Sequence, residues 1–264
     1  MEEDEDELPL VPITPDDVQR WVDLAAQQLK SETGVNLPVV PSRPMPAIGG
    51  KSTYVDWIDA SIPIGDAFYP CCGSDIDELP RLFGSHVSTY HFADPFRQLG
   101  NKQRARVRPL QISIDHIGNV VVGSSHVEST HIEGQPAMLH SKDGLLTLVD
   151  DIRSLSIFYY RGDSGGEGGS GQWVLGPVGF HCVLARLLDG GLICTDGSNL
   201  GYCDRENGEY APWNALTGIW PFSPPIKGSS FEYFSRRFTC VTVLERARPV
   251  YVWQVAGFAV PPPN

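Results

Sequence analysis

Phe68-Tyr-Pro-Cys-Cys-Gly-Ser-Asp75 runs a short apolar segment straight into a small, tight turn, and Tyr90-His-Phe-Ala-Asp94 repeats an apolar segment ending in an acid. The interval between them has the length of a helix. Strand, tight turn, helix, then a second strand with an acid at its end is how α/β proteins build a nucleotide pocket. Further along, Leu155-Ser-Ile-Phe-Tyr-Tyr160 is nearly unbroken in its apolar character, which favours a strand in a sheet covered on both faces.

The remaining segments extend this alternation. Asp75 to Phe83 is expected to be a helix shortened or kinked at Pro80, and Val87 to Ala93 a strand. Leu110 to Ile114 and Val120 to Val122 flank Ile117-Gly-Asn119 as a β-hairpin. Ala137 to His140 reads as a strand and Leu145 to Ile152 as a helix. Val178 to Leu188 is a helix closed by Asp189-Gly-Gly191, and Leu192 to Thr195 is the strand after it. Phe238 to Leu244 and Val250 to Val255 close the chain as paired strands. The predicted class is α/β: a mostly parallel Rossmann-like sheet with helices on both faces, an antiparallel C-terminal edge strand and an inserted β-hairpin.

With 264 residues and 41% hydrophobic content, one main core suffices. Residues 1–13 read as an acidic disordered tail, 14–52 as an N-terminal helix and connector, and 53–264 as the main domain with an insertion at about 99–135. Thr14-Pro-Asp-Asp17 starts the helix, and Val18, Trp21, Val22, Ala25 and Leu29 recur at helical spacing. Residues 34–51 hold four prolines and a Gly-Gly pair, as an extended connector would.

Charge and cysteine content narrow the partners. A net charge of −12 repels phosphate backbones, so nucleic acid is disfavoured apart from a local basic stripe of Lys102, Arg104, Arg106 and Arg108. On an extended segment those four side chains share one face, which suits a solvated strand edge as well as an anion site. Met1 to Glu7 is the opposite of a signal peptide's basic start, and no apolar run is long enough to span a bilayer, so a cytoplasmic, membrane-free protein is expected. The six cysteines form no CxxC pair and are expected as reduced thiols. His116, His126, His131 and His140, with Glu128 and Glu133, could be imagined as a metal cluster. Surface histidines on a hairpin suit their spacing better, so no metal is assigned.

From about residue 65 to 255 the order resembles a class I S-adenosylmethionine-dependent methyltransferase domain. In that family the first strand ends in a glycine-rich turn that cradles the cofactor's methionine part, and Tyr69, Cys71, Cys72, Gly73 and Asp75 stand in that place. An acid ending the second strand holds the ribose hydroxyls; Asp94, 21 positions beyond Gly73, matches it. Asp143 matches the acid after the third strand that meets the adenine amine, and Leu184 to Ile193 is similar to the family's helix, Gly-Gly turn and fifth strand. The resemblance implies S-adenosylmethionine as cofactor and methyl transfer to an acceptor positioned beyond the fourth strand, where Tyr160, Asp163 and Glu167 are the candidates for base or orienting roles. Tyr69 and Pro70 depart from the family pattern, which has an acid there, and Gly73 is the turn's only glycine.

Other readings compete. Asp75, Asp94, Asp143, Asp163, Glu167 and Asp196 all follow predicted strands, where acids also cap the next helix. Gly162-Asp-Ser-Gly-Gly166 copies the residues around a chymotrypsin-like nucleophile, but no histidine has that family's surroundings and the glycines continue to Gly171. Two function classes therefore stand: a methyltransferase acting on a small-molecule or protein acceptor, and an inactive methyltransferase-like domain serving as a protein-interaction or nucleotide-sensing module.

Overall fold

The computed structural model describes residues 23, 27, 30–31, 36–40, 45–94, 112–114, 120–122, 127–141, 144–161, 177–196, 216, 224–246 and 249–257. Its centre is a nine-stranded mixed sheet built from β3 (Asp66–Pro70), β4 (Tyr90–Ala93), β7 (Val127–Ile132), β8 (Gln135–His140), β9 (Leu155–Tyr160), β10 (Leu187–Thr195), β11 (Ser230–Tyr233), β12 (Arg236–Leu244) and β13 (Val250–Gly257). Across the sheet they run β11-β12-β13-β10-β9-β3-β4-β8-β7. Two further hairpins stand apart from it, β1 (Ser52–Val55) with β2 (Ala60–Pro63), and β5 (Ile112–Ile114) with β6 (Val120–Val122).

Five strands pair in parallel: β8, β4, β3, β9 and β10. Numbered by their own order in the chain they lie 3-2-1-4-5, the doubly wound order, with its reversal between β3 and β9. A ligand crevice belongs at the carboxyl ends of the strands on either side of such a reversal. The antiparallel part is larger than one edge strand, correcting the expectation from the sequence: β13, β12 and β11 continue one edge, and β7 closes the other. β7 escapes a hydrophobic-pattern reading because Val127-Glu-Ser-Thr-His-Ile132 is an edge strand with polar and exposed positions.

Helices α1 (Glu78–Phe83), α2 (Gly144–Asp150) and α3 (Pro177–Arg186) divide between the faces. On one face Leu145, Leu148, Phe180, Val183 and Leu184 of α2 and α3 pack with Phe68, Phe158 and Phe238 of the sheet. On the other, Leu79 and Phe83 of α1 join Val55, Ile58 and Ile62 of the β1–β2 hairpin over Tyr69, Phe92, Ile157 and Tyr159. That hairpin does the covering that a second helix does on the first face. Gln254 Nε2 holds it by donating to Ser61 O at 2.8 Å, and Ser156 Oγ by donating to Pro63 O at 2.7 Å.

Two helix boundaries differ from expectation for local reasons. α1 begins at Glu78 rather than Asp75, so Pro80 falls in its first turn, where a missing amide breaks no helical bond. α3 ends at Arg186 and passes directly into β10, so Gly190 and Gly191 lie inside the strand, at a register shift between Leu187 and Leu192. Gly190 has φ of +81°, and a Cβ on Gly191 would lie 2.9 Å from Leu188 O and 3.0 Å from Ser156 O. The pair therefore serves a bulge and a close backbone approach.

Asp23, Gln27, Lys30 and Ser31 are helical and exposed, while the apolar positions expected for that helix lie outside the described residues. So do the basic stripe at 102–108, Asp143, Asp163, Glu167, the glycine run after Gly162, and His116 and His126. Cys71, Cys72, Cys182, Cys194 and Cys240 are free thiols. No described helix is long and apolar enough to cross a membrane.

Candidate functional site at the strand reversal

The turn after β3 is shaped by two residues with left-handed backbone. Cys71 has φ of +53° and Gly73 of +55°. For Cys71 this conformation is strained, whereas Gly73 adopts it freely. A Cβ built on Gly73 would meet nothing within 4 Å, so the turn borders open space at that point. The turn is fastened from β4: the Gly73 amide donates to Asp94 Oδ2 at 3.1 Å, and the Cys72 amide to Ala93 O at 3.4 Å. Asp94 is itself held by its amide, which donates to His140 O at 3.0 Å at the end of β8.

The end of β9 is joined to the same turn. Tyr69 OH donates to Arg161 O at 3.0 Å, and the Tyr69 ring meets Tyr159 edge-on at 4.9 Å. Arg161 then reaches over the reversal point. Its guanidinium pairs with Glu78 in the first turn of α1, with Asp75 at 3.8 Å, and with Asp196 after β10 at 3.3 Å. Glu78 is also paired with Arg246, from the connection between β12 and β13. Counting Asp94, four carboxylates share this edge with two guanidiniums, an excess of two negative charges among these groups.

Burial sets the protonation chemistry. It pushes the Asp75 carboxyl above its ordinary range, with Arg161 and Arg246 pulling the other way. The Tyr69 hydroxyl and Cys72 thiol are driven well upward by burial, reinforced by the Asp75 charge beside Tyr69 and the Asp94 charge beside Cys72. Cys72 is thus a protonated, packed thiol rather than a nucleophile.

Of the residues singled out from the sequence, Tyr69, Cys71, Cys72, Gly73, Asp75 and Asp94 come together here. Helix capping does not account for Asp75: Asp77 holds the N-cap position of α1 without a side-chain capping bond, and Asp75 faces Arg161, while Asp94 binds a turn amide. Tyr160 belongs elsewhere. It is fully buried on the α2 and α3 face, its ring stacked on Phe158 at 6.1 Å, while Tyr69 and Tyr159 occupy the opposite face.

Arg161, Glu78 and Arg246 were not singled out. Arg161 could have been, since it follows an apolar strand directly, as Asp94 does. Glu78 and Arg246 carry no such local mark.

A second polar arrangement crosses the first face. His91 Nδ1 and His140 Nε2 are hydrogen-bonded at 3.0 Å with their rings stacked, and Asp66 lies 3.8 Å from His91 while Asp151 lies 3.3 Å from His140. His140 is 1% exposed, which corrects its reading as a surface histidine on a hairpin. Burial depresses His91 to about 4 and raises Asp66 to about 6. No group of three or more His, Cys, Asp or Glu side chains among the described residues could hold a metal ion.

No protein-family model and no curated protein matches this chain. Among solved structures, one described as a "Putative Type II Methyltransferase from Anaeromyxobacter dehalogenans" is similar over 84% of this chain and 96% of that one, at 11% identity and a TM-score of 0.32. At that level of likeness the fold is read from the strand order itself.

Proposed function

We infer that the chain is an S-adenosylmethionine-dependent methyltransferase acting on an unidentified acceptor. The observation that carries this reading is the Gly73 amide bonded to Asp94 Oδ2 beside open space at the strand reversal. A left-handed glycine next to a crevice lets a ligand approach the backbone, and a carboxylate at the end of the neighbouring strand suits ribose hydroxyls. Tyr69, Cys71, Cys72, Gly73 and Asp75 would border the cofactor's amino-acid part, Asp94 its ribose and Asp143 its adenine.

When bound, that cofactor supplies a methyl group activated by a positive sulfonium. The chain's part is to position an acceptor in line with the methyl and to remove a proton from it if it carries one. Asp163 and Glu167, beyond β9, are assigned to the proton, and Tyr160 to holding that strand end in place through its buried ring. The negative excess among Asp75, Glu78, Asp94 and Asp196 favours a cationic sulfonium over the neutral thioether left after transfer.

The alternative is a binding module without turnover, in which Arg161 ties α1 to the ends of β9 and β10. Calorimetry with S-adenosylmethionine and S-adenosylhomocysteine separates the cases. Binding of both that is lost in Asp94→Ala, together with turnover lost in Asp163→Asn once an acceptor is found, is the expected result. Absence of heat at millimolar ligand with folded protein would exclude both the enzyme and the nucleotide-sensing version of the module.

A further inference from the structure

Arg236 opens β12 at the end of the sheet opposite the crevice, since β12 runs in the direction of β10 and Arg236 stands across from Gly257. Its side chain is 1% exposed, and its Nε, Nη1 and Nη2 are all buried without a hydrogen-bond partner. No other described side chain leaves three polar atoms in this condition. The charge it feels most is that of Asp189, which is exposed and whose Oδ1 accepts from the Gly257 amide at 2.9 Å. An ionised guanidinium removed from water without hydrogen bonds is among the most heavily penalised arrangements in a protein interior. Asp196 and Glu78, by contrast, face cations: Asp196 faces Arg161, and Glu78 faces Arg161 and Arg246.

The strand face that Arg236 shares is aromatic: Tyr233 stands opposite it in the β11–β12 ladder. Phe238, two residues on and on the same face, stacks with Phe180 at 6.1 Å; Phe180 meets Tyr233 at 5.8 Å, and Tyr233 meets Phe234 at 4.8 Å. Phe234 and Ser235 form the two-residue turn of the β11–β12 hairpin, both with positive φ, at +49° and +55°. Such turns ordinarily carry Asn and Gly. Half-buried Phe234 is thus held in an unfavourable backbone conformation in the turn that leads into Arg236, whose cross-strand partner is Tyr233.

We propose that Arg236 anchors a second ligand site, for a small carboxylate with an aromatic or other apolar body. A planar guanidinium fork donates two parallel hydrogen bonds to a carboxylate, and the rings of Phe180, Tyr233 and Phe234 offer apolar contact to what the carboxylate is attached to. The ligand enters at the Phe234–Ser235 turn, where Ser235 is exposed and Phe234 half-buried.

The test is thermal unfolding of the full chain with sodium benzoate, and with acetate, phosphate or chloride at equal ionic strength. Benzoate is expected to raise the melting temperature saturably and by more than acetate, with chloride inert. Arg236→Met is expected to melt no lower than the parent without ligand and to show no benzoate shift. Should that variant fail to fold, Arg236→Lys keeps the charge and loses the fork, and its benzoate affinity by ligand-observed NMR should fall roughly tenfold. Asp94→Ala should leave the benzoate response intact, so this site stands or falls apart from the crevice. No benzoate shift in the parent chain, or an equal shift in parent and Arg236→Met, overturns the proposal; a shift by phosphate exceeding that by benzoate overturns the ligand class.

Discussion

The Gly73 amide donates to Asp94 Oδ2 at 3.1 Å, joining the turn after the first parallel strand to the end of the second. Asp94 is 6% exposed, so the bond is shielded from water on its acceptor side. Asp94→Ala should cost about 1–3 kcal/mol, the range for orphaning a shielded backbone donor. Asp94→Asn retains an acceptor and should recover most of that loss. Urea unfolding midpoints of the two variants check it, and cofactor calorimetry on Asn separates the structural bond from the need for a negative charge.

Arg161 is the hub of the edge, and its removal should take one cation away from Asp75, Glu78 and Asp196 while Arg246 stays on Glu78. Its side chain is 27% exposed, so the full penalty for breaking a buried pair is discounted to about 1–3 kcal/mol for Arg161→Met. Adding Glu78→Gln should restore part of the stability. Denaturation of the single and double variants at low and high salt measures the coupling; additive losses would show that the pair does not act as a unit.

Asp66 and His91 should cancel in the pH dependence of stability. Asp66, raised to about 6 from 3.8, holds a proton that the unfolded chain releases, so its contribution is lost as pH rises from about 4 to 6. His91, lowered to about 4 from 6.5, stays neutral where the unfolded chain protonates, so its contribution grows as pH rises from about 4 to 6.5. Asp66→Asn should therefore expose a rising slope between pH 4 and 6.5, and His91→Gln a falling slope between pH 4 and 6, each at most about 1.4 kcal/mol per pH unit. His140 and Asp151, which complete the chain of contacts, stay in place in both variants. Parallel slopes in the two variants would refute the pairing.

Gly73 and Gly191 should respond differently to alanine. At Gly191 the methyl would press on backbone oxygens of Leu188 and Ser156, and overpacking of this kind costs about 1–3 kcal/mol. At Gly73 there is room, so only the left-handed backbone is penalised, by about 1–2 kcal/mol. Gly73→Ala should remain folded while its methyl enters the space assigned to the cofactor, so calorimetry should show weakened binding without a comparable fall in melting temperature.

Several residues of the candidate site are legible in the chain because they occupy ends of elements. Tyr69 and Asp94 stand at or just past the ends of apolar runs, and a run's end is visible locally. Arg161 stands in an equivalent place, but the family resemblance points to acids there. Glu78 and Arg246 could not be found in this way, being ordinary helix and turn residues until Arg161 and the β12–β13 connection bring them together. Gly190 and Gly191 looked like a helix stop, and only the neighbouring Ser156 and Leu188 backbones reveal a bulge inside β10.

The sequence by itself determined the strands of the parallel core, the α/β character and the places where those strands end, because hydrophobic period and turn chemistry act over a few neighbouring residues. Tertiary structure alone decided the order of the nine strands, the use of a hairpin instead of a helix to cover one face, and the pairing of His91 with His140, 49 positions away. It also decided that Arg236, one of two arginines in Ser235-Arg-Arg237, is the buried one. These outcomes depend on which distant segments pack against one another, and that choice is settled by the total burial of both faces of the sheet rather than by any local pattern.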